Sequence, residues 1–261
     1  MATHGSSSGI PMTEAAEPRR PGVWKDVAIL EIKDRTPSIK SFWLDVGRDF
    51  RHVSGQHVII KLTDPEGYSV MRSYSIASPP TRDGVIEVAI ERLIDGEVST
   101  FFHDVAVVGD TIELRGPIGG HFVWTPAEPG ASLLIAGGSG VVPMMAIVRE
   151  HARENSKVPL GLLLSARTGP EAPFFEELMA LEASCDAFAF TATFTRARPA
   201  RMRDHGRRVD QAMVAELIER MGAPPVRTFI CGSNRFVNTA TDSALAAGVL
   251  SETVRTERYG G

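Results

Sequence analysis

The chain has 261 residues, of which 43% are hydrophobic and 23% are charged, and its formal net charge at pH 7 is −4. This composition is typical of a globular protein with room for two domains, and it argues against a nucleic-acid binder, which would carry a strongly basic face. Two cysteines and scattered histidines predict no disulfide framework, iron–sulfur cluster or metal site, and without an apolar run of about 18 residues we expect no membrane span and a cytoplasmic location.

Residues 1–21 contain a Ser-Ser-Ser-Gly run and little that could be buried, so we expect a disordered tail there. The next segment, residues 22–126, has the pattern of short strands separated by turns. Ile86, Val88 and Ile90 alternate with two glutamates and an alanine, which is typical of a strand buried on one side. Predicted strands cover residues 24–33, 39–46, 56–62, 71–77, 85–92 and 111–114, with a short helix at 99–105. Six such strands predict a six-stranded antiparallel β-barrel.

The run from Arg72 to Ser78 reads Arg-Ser-Tyr-Ser-Ile-Ala-Ser. Arg72, Tyr74 and Ser78 have even spacing, so they face one side if the run is extended. A guanidinium fork, a phenol and a hydroxyl on one face suit a flat, phosphorylated ligand, although an ordinary half-buried strand explains the run equally well. Further along, the glycines and proline between Gly116 and Phe122 predict a turn, or a backbone wall beside such a ligand.

Residues 127–261 have a different pattern, in which apolar runs alternate with helical segments. The predicted strands are residues 133–136, 160–164, 188–194, 228–231 and 253–259, and the predicted helices are residues 143–154, 173–183, 210–221 and 236–247. Pro143 and Pro173 are expected at first helical positions, while Gly222 and Gly248 follow helix ends. Strict alternation of strand and helix predicts a doubly wound α/β domain with a parallel sheet, which binds ligands at the carboxyl ends of its strands.

Three motifs in this second segment suit a nucleotide. The Gly-Gly-Ser-Gly run beginning at Gly137 lies between a predicted strand and a helix, where backbone amides can approach a pyrophosphate, or where glycines only form a tight turn. Cys231-Gly232 ends the fourth predicted parallel strand, where a buried cysteine serves packing or a ligand. Residues 196–208 contain six arginines, which indicate a seat for a phosphate or an acidic partner, or equally a solvated loop.

In their order along the chain, these motifs resemble those of the plant-type ferredoxin–NADP(H) reductase superfamily, and the resemblance covers residues 23–261. Arg72-Ser73-Tyr74-Ser75 resembles the family's R-x-Y-S flavin motif, and Gly96-Glu97-Val98-Ser99 resembles its G-x-x-S turn at the flavin pyrophosphate. Residues 137–143 resemble the nicotinamide-nucleotide glycine loop, Cys231-Gly232 the pair beside the nicotinamide, and Glu257-Arg258-Tyr259 the E-x-aromatic ending over the flavin.

The resemblance implies an FAD-binding barrel at residues 22–126 and an NAD(P)-binding domain at residues 127–261. The residues expected to bind FAD are Arg72, Tyr74, Ser75, Ala89, Ile90, Glu91, Gly96, Val98, Ser99 and Tyr259. The residues expected to bind NAD(P) are Gly137, Gly138, Ser139, Gly140, Pro143, Arg167, Arg196, Arg207, Cys231 and Gly232. The expected catalytic residues are Ser75 near flavin N5, with Cys231 and Glu257 at the nicotinamide.

Arg167, Arg196 and Arg207 lie near the ends of the second and third parallel strands, where they could pair with a 2′-phosphate and so favour NADPH. The implied activity is an FAD-dependent NAD(P)H oxidoreductase that passes electrons through flavin N5 to a separate acceptor protein, such as a ferredoxin, an oxygenase or another metalloprotein. We expect no fused ferredoxin or globin domain. A free-standing flavin or quinone reductase, a non-catalytic flavin-binding redox sensor and a dehydrogenase without flavin stay open.

Overall fold

Eleven strands and five α-helices form residues 23–259, the part of the chain that the computed structural model describes; the predicted tail at residues 1–21 lies outside it. The strands are β1 (Lys25–Thr36), β2 (Ile39–Asp45), β3 (His57–Thr63), β4 (Ser69–Ser75), β5 (Val85–Glu91), β6 (Thr111–Ile118), β7 (Ser132–Gly137), β8 (Leu160–Ala166), β9 (Phe188–Phe194), β10 (Arg227–Ser233) and β11 (Val254–Tyr259). The helices are α1 (Glu97–Asp104), α2 (Val142–Arg153), α3 (Phe175–Ser184), α4 (Gln211–Met221) and α5 (Asn234–Ala246).

The first six strands form one antiparallel sheet in the order β4-β3-β6-β1-β2-β5. Its inward side chains, including Phe42, Val58 and Ile90, make one apolar core, since alternate residues of each strand point to the same face. A bridge between Ile76 and Val88 brings the two edge strands together and closes the sheet. The predicted six-stranded antiparallel barrel is confirmed.

Two details of the barrel differ from expectation. The run from Gly116 was predicted as a turn, but β6 continues to Ile118, because His57 of β3 pairs with Ile118 across a register shift. The strand predicted to be buried on one side, β5, is buried on both, because the second domain covers Glu87 and Ala89 on its outer face.

The remaining strands form an all-parallel sheet in the order β11-β10-β7-β8-β9. Helices α2 and α3 pack on one face, where Met145 and Leu178 join the apolar core, and α4 and α5 pack on the other with Leu217 and Val237. The predicted doubly wound sheet is therefore confirmed. Pro173 does not begin a helix as expected, because α3 starts at Phe175 after a residue in the left-handed conformation.

Besides the core inside the barrel, one apolar cluster contains residues of both domains. Phe122 and Trp124 after the barrel pack in the same apolar cluster as Phe229 of β10, and the Phe122 and Phe229 ring centroids are 5.1 Å apart. Trp124 Nε1 donates to Ser132 Oγ at 3.2 Å. This contact joins the end of the barrel domain to the first residue of β7. In residues 23–259 no helix has the length and apolar character needed to cross a membrane.

Candidate functional site

The barrel has a seam between its edge strands, β4 and β5. Within the described residues, the segment just after β4 meets β5 at the Ile76–Val88 bridge and at one further backbone–backbone bond, from Ala77 N to Glu87 O at 2.7 Å. Beyond this point their backbone edges face each other without a ladder, so a flat ligand can use their polar groups. Helix α1 lies across the seam, with His103 Nε2 2.9 Å from Ile90 O.

The R-x-Y-S residues lie on the β4 side of this seam. Arg72 is exposed and donates to Met71 O at 2.7 Å. Tyr74 is half-buried, and burial raises the pKa of its phenol to about 12 against the opposing charge of Arg72. Ser75 ends the strand, half-buried opposite His57. The expectation that Ser78 shares this face is wrong, because the strand ends before it and its hydroxyl accepts a hydrogen bond from Glu87 N.

The start of α1 offers backbone amides near β4, since the Tyr68 hydroxyl just before that strand donates to Glu97 Oε2 at 3.2 Å. No side chain caps this helix, and the Ser99 hydroxyl instead accepts from Leu93 N at 3.1 Å and donates to Gly96 O at 3.0 Å. A Cβ at Gly96 would lie 2.3 Å from Ser99 Oγ, so the turn requires glycine. The Val98 side chain is buried in the barrel core, which leaves its amide as its polar contribution. An uncapped helix start near the strand that carries Arg72 fits a pyrophosphate.

Residues of β5 complete the seam. The side chains of Ala89 and Ile90 are buried against protein, so only their backbone is available to a ligand. Glu91 instead reaches the second domain, where its Oε2 accepts from Ser139 Oγ at 2.5 Å. The barrel seam and the glycine loop are therefore in direct contact.

The glycine loop is a short 3₁₀ turn, Gly138–Val141, between β7 and α2, with Pro143 in the first turn of the helix. A Cβ at Gly140 would lie 2.2 Å from Cys231 O, and one at Gly137 would lie 2.7 Å from the Phe236 ring. The Cβ of a residue at 232 would also meet the Phe236 ring, at 2.6 Å. These glycines thus allow the loop to pack on β10 and α5, a packing role that neither interpretation of the sequence included.

Cys231, Glu257 and Tyr259 line up beside this loop. Cys231 is paired with Glu257 across β10 and β11, and Tyr259 lies two residues further on the same face. The Tyr259 hydroxyl donates to Gly137 O at 2.5 Å and accepts from Gly140 N at 3.2 Å. The structure therefore brings the expected catalytic pair to the glycine loop, and Tyr259 anchors in the loop itself.

Burial sets the protonation of these groups. It raises the pKa of the Cys231 thiol to about 12, with Glu257 adding to the shift, so the thiol stays protonated at neutral pH. Burial also raises the pKa of Tyr259 to about 12 and that of Glu257 to about 7. Near neutral pH the Glu257 carboxyl can therefore hold or release a proton beside the loop.

In the arginine-rich segment, residues 196–208, several arginines are already paired with carboxylates. Arg167 and Arg196 are exposed and adjacent, since Arg196 N donates to Arg167 O at 2.8 Å. Arg207 is paired with Asp210 at 2.6 Å, and Arg201 and Arg203 both contact Glu182. Arg167 and Arg196, two of the three arginines expected at a 2′-phosphate, are thus neighbours at one sheet edge. Arg167 also pairs with Glu171 at 3.6 Å, as Arg207 does with Asp210.

One group of polar residues between the domains was missed by the sequence interpretation. Glu87 of β5 and Arg149 of α2 form an ion pair at 2.6 Å, although 62 positions separate them in the chain. No local spacing signals such a pair; a glutamate at a predicted buried strand was the one available hint.

Two family models match the chain. Residues 27–124 match the oxidoreductase FAD-binding domain, and residues 134–242 match the oxidoreductase NAD-binding domain. These ranges correspond to the barrel with the seam and to most of the parallel-sheet domain with the glycine loop.

Among curated proteins, the chain is 31% identical over 241 residues to ferredoxin–NADP reductase B of Sorangium cellulosum (strain So ce56), covering 90% of this chain and 97% of that protein. It is 25% identical over 232 residues to the phenol hydroxylase P5 protein of Acinetobacter pittii (strain PHEA-2), covering 88% of this chain and 64% of that protein. A solved ferredoxin NADP⁺ reductase from Neisseria gonorrhoeae with bound FAD and NADP has the same fold, with a TM-score of 0.75, 22% identity and coverage of 90% of this chain and 98% of that one.

Proposed function

Because this chain belongs to the ferredoxin–NADP(H) reductase superfamily and is an FAD-containing NAD(P)H reductase, we propose that it delivers electrons from NAD(P)H to a separate one-electron acceptor protein. The acceptor is a ferredoxin-like, haem or other metal-centre protein. The observation that carries the proposal is the contact of Glu91 with Ser139, which brings the barrel seam and the glycine loop together. We place the division between the two domains at residues 126 and 127.

We assign the FAD site to the seam. Arg72 and the amides at the start of α1 would hold the pyrophosphate, Tyr74 and Ser75 would contact the flavin, and the backbone of Ala89 to Glu91 would lie beside the adenosine half. When bound, FAD takes two electrons from a reduced nicotinamide and can release them singly. The surrounding residues bind and orient the two cofactors, a task that needs no acid or base of its own.

We assign the nicotinamide side to the glycine loop. Ser139 and the loop amides would bind the nucleotide, and Cys231 and Glu257 would border the nicotinamide ring. Arg167 and Arg196 would pair with a 2′-phosphate, Arg167 in place of its exposed, longer contact with Glu171, while Arg207 would first have to leave Asp210. This favours NADPH over NADH, and equal kcat/KM values for the two nucleotides would remove the assignment.

The role of Ser75 has its own test. Ser75→Ala should slow reduction of the bound flavin by NADPH about tenfold or more while changing FAD affinity less, because a hydroxyl near the reacting atoms orients them. Stopped-flow absorbance in a single turnover measures the first, and flavin titration the second. Unchanged single-turnover reduction would remove Ser75 from the site.

The acceptor is tested by steady-state assays under argon with NADPH as donor. The protein should reduce a [2Fe–2S] ferredoxin or cytochrome c with higher kcat/KM than free FMN or a quinone. Preference for FMN or quinone would identify a free-standing flavin or quinone reductase instead. Retained flavin without turnover on any acceptor would indicate a redox-sensing subunit.

We also propose a cytoplasmic location, since both Cys185 and Cys231 are free thiols, as is usual in a reducing compartment.

A further inference from the structure

A buried carboxylate lies between arginines of the two domains. Glu87 of β5 is 2% exposed. Its Oε1 accepts from Arg35 Nη2 at 2.7 Å and from Ser41 Oγ at 2.5 Å, both in the barrel. Its Oε2 accepts from Arg149 Nη1 of α2 at 2.6 Å. Every close partner of the Glu87 carboxylate is thus a donor, and one of them comes from the nucleotide domain.

Arg149 binds two carboxylates at once. Its Nε and Nη2 donate to the two oxygens of Glu177 at 2.5 and 2.8 Å, and Nη1 also donates to Ala77 O at 2.9 Å. Burial alone would raise the pKa of Glu87, but Arg149, Ser41 and Arg35 outweigh it and lower that pKa. The Glu87–Arg149 pair is therefore ionised, and because Glu177 holds Nε and Nη2 of Arg149 with two parallel bonds, Nη1 is directed at Glu87.

A strained residue supports the same group. Phe174 has a left-handed backbone, with φ +62°, and is 5% exposed. Its ring centroid lies 4.7 Å from Arg35 Cζ and 5.2 Å from Arg149 Cζ, so the ring contacts guanidinium groups of both domains. A non-glycine residue keeps such a backbone only where its surroundings require it, and here the requirement is the place of the ring.

The cluster is joined directly to both halves of the candidate site. Ala77 lies two residues after Ser75, and Glu87 lies two residues before Ala89. Arg149 lies about 10 Å along α2 from Val142, where the glycine turn ends. Because strand and helix are stiff, moving Arg149 relative to Glu87 moves the glycine loop relative to the seam.

We propose that Arg35, Glu87, Arg149 and Glu177, here named the interdomain ion cluster, are positioning residues that fix the angle between the two domains for electron transfer between their cofactors. This rests on the proposed assignment of FAD to the seam and of the nucleotide to the glycine loop. Apolar contacts such as Phe122 on Phe229 hold the domains together but have no strict direction, whereas the Arg149 guanidinium, held in a fork by Glu177, has a fixed direction toward Glu87.

The test is Arg149→Met, which keeps an unbranched apolar side chain, removes the guanidinium and leaves Glu87 paired with Arg35. In the FAD-loaded protein, affinities for FAD and NADPH should stay within about twofold of wild type, while the limiting rate of flavin reduction should fall about 10- to 100-fold from misalignment. Arg149→Lys should recover only part of the rate, because a point charge cannot bind both carboxylates in the fork geometry. Deuterium uptake of β5 and α2, measured without nucleotide, should rise.

The matched control is Arg220→Met. Arg220 also bonds a carboxylate and backbone, but its partners Glu182, Thr191 and Phe190 all lie in the nucleotide domain. This variant should keep the wild-type reduction rate and the wild-type deuterium uptake of β5. If Arg149→Met does not fold, Glu177→Gln provides a milder loss, because Glu177 is at the edge of the cluster.

Three results would overturn the proposal. They are an unchanged reduction rate in Arg149→Met or, where that variant does not fold, in Glu177→Gln; an equal loss in Arg220→Met; and a loss of rate that follows a loss of FAD or NADPH affinity. A wild-type protein whose flavin is not reduced by NADPH would count against the proposed function instead. In that event, unchanged deuterium uptake of β5 and α2 in Arg149→Met would still show that the interdomain ion cluster does not fix the angle between the domains.

Discussion

At the scale of single residues, Glu257 lies in a buried environment that disfavours its ionised form. Burial raises the pKa of Glu257 to about 7, whereas a glutamate in an unfolded chain has a pKa of about 4.3. Between these values the folded state binds more protons than the unfolded state, so this residue makes stability fall as pH rises through that window. Above about pH 7 the loss of folding stability caused by Glu257 no longer changes with pH.

Glu257→Gln should remove this pH dependence. After discounting for partial exposure, we expect the variant to gain about 1–2 kcal/mol over wild type at pH 8 and little at pH 5. Urea denaturation of the FAD-saturated protein at both pH values measures the difference. Exposed Glu252 on the preceding turn supplies the control, Glu252→Gln. Equal pH slopes for wild type and Glu257→Gln would show that Glu257 is not held in this state.

Gly140 is required by packing, and its replacement has a clear expected cost. A Cβ there would lie 2.2 Å from Cys231 O, which belongs to backbone and cannot move aside easily. Gly140→Ala should destabilise the protein by about 1–3 kcal/mol and weaken nucleotide binding, because the loop must leave β10. Gly169→Ala, whose Cβ would have no neighbour within 4 Å, is the control in the same denaturation and NADPH titrations. Equal stability of both variants would contradict this packing.

Within single elements, the residue that caps helix α4, Asp210, also binds Arg207, an arginine expected at the 2′-phosphate. Asp210 accepts from Met213 N at 3.0 Å and pairs with Arg207. The hydrogen bond from Arg207 lowers the pKa of Asp210, so this stabilisation is present when the carboxyl is ionised and is lost as pH falls through its titration.

Asp210→Ala should cost about 1 kcal/mol, and Asp210→Asn less, because the amide oxygen still accepts from the helix amide. Urea denaturation at neutral pH measures both. Asp242→Ala, at an exposed interior position of α5, controls for a loss of charge alone. The assignment of the cap fails if Asp210→Ala is as stable as wild type.

The elements were predictable where local chemistry decides them. Alternating apolar residues in the barrel, continuous apolar runs in the second domain, and prolines and glycines at helix ends placed the eleven strands and five helices of residues 23–259 within a few residues. The errors have local causes too. Gly116 and Pro117 are turn-forming residues that β6 absorbs by pairing with β3, and Pro173 precedes a helix whose start is set by the unusual backbone of Phe174.

For the protein as a whole, contacts between the domains depend on residues far apart in sequence. Glu87 meets Arg149 across 62 positions, and Ser139 meets Glu91 across 48. A single sequence contains no periodicity or spacing that indicates such pairs. The motifs therefore identified both halves of the candidate site, whereas their juxtaposition, and the ion cluster that fixes it, required the structure.

The central claim is that this chain holds FAD beside an NAD(P)H site and lets the nucleotide reduce it. The most direct measurement is an anaerobic visible spectrum of the purified protein before and after NADPH, and then NADH in a second sample. We predict an oxidised-flavin spectrum that bleaches, faster with NADPH. A colourless protein that does not take up added FAD, or a bound flavin that neither nucleotide bleaches, would contradict the account.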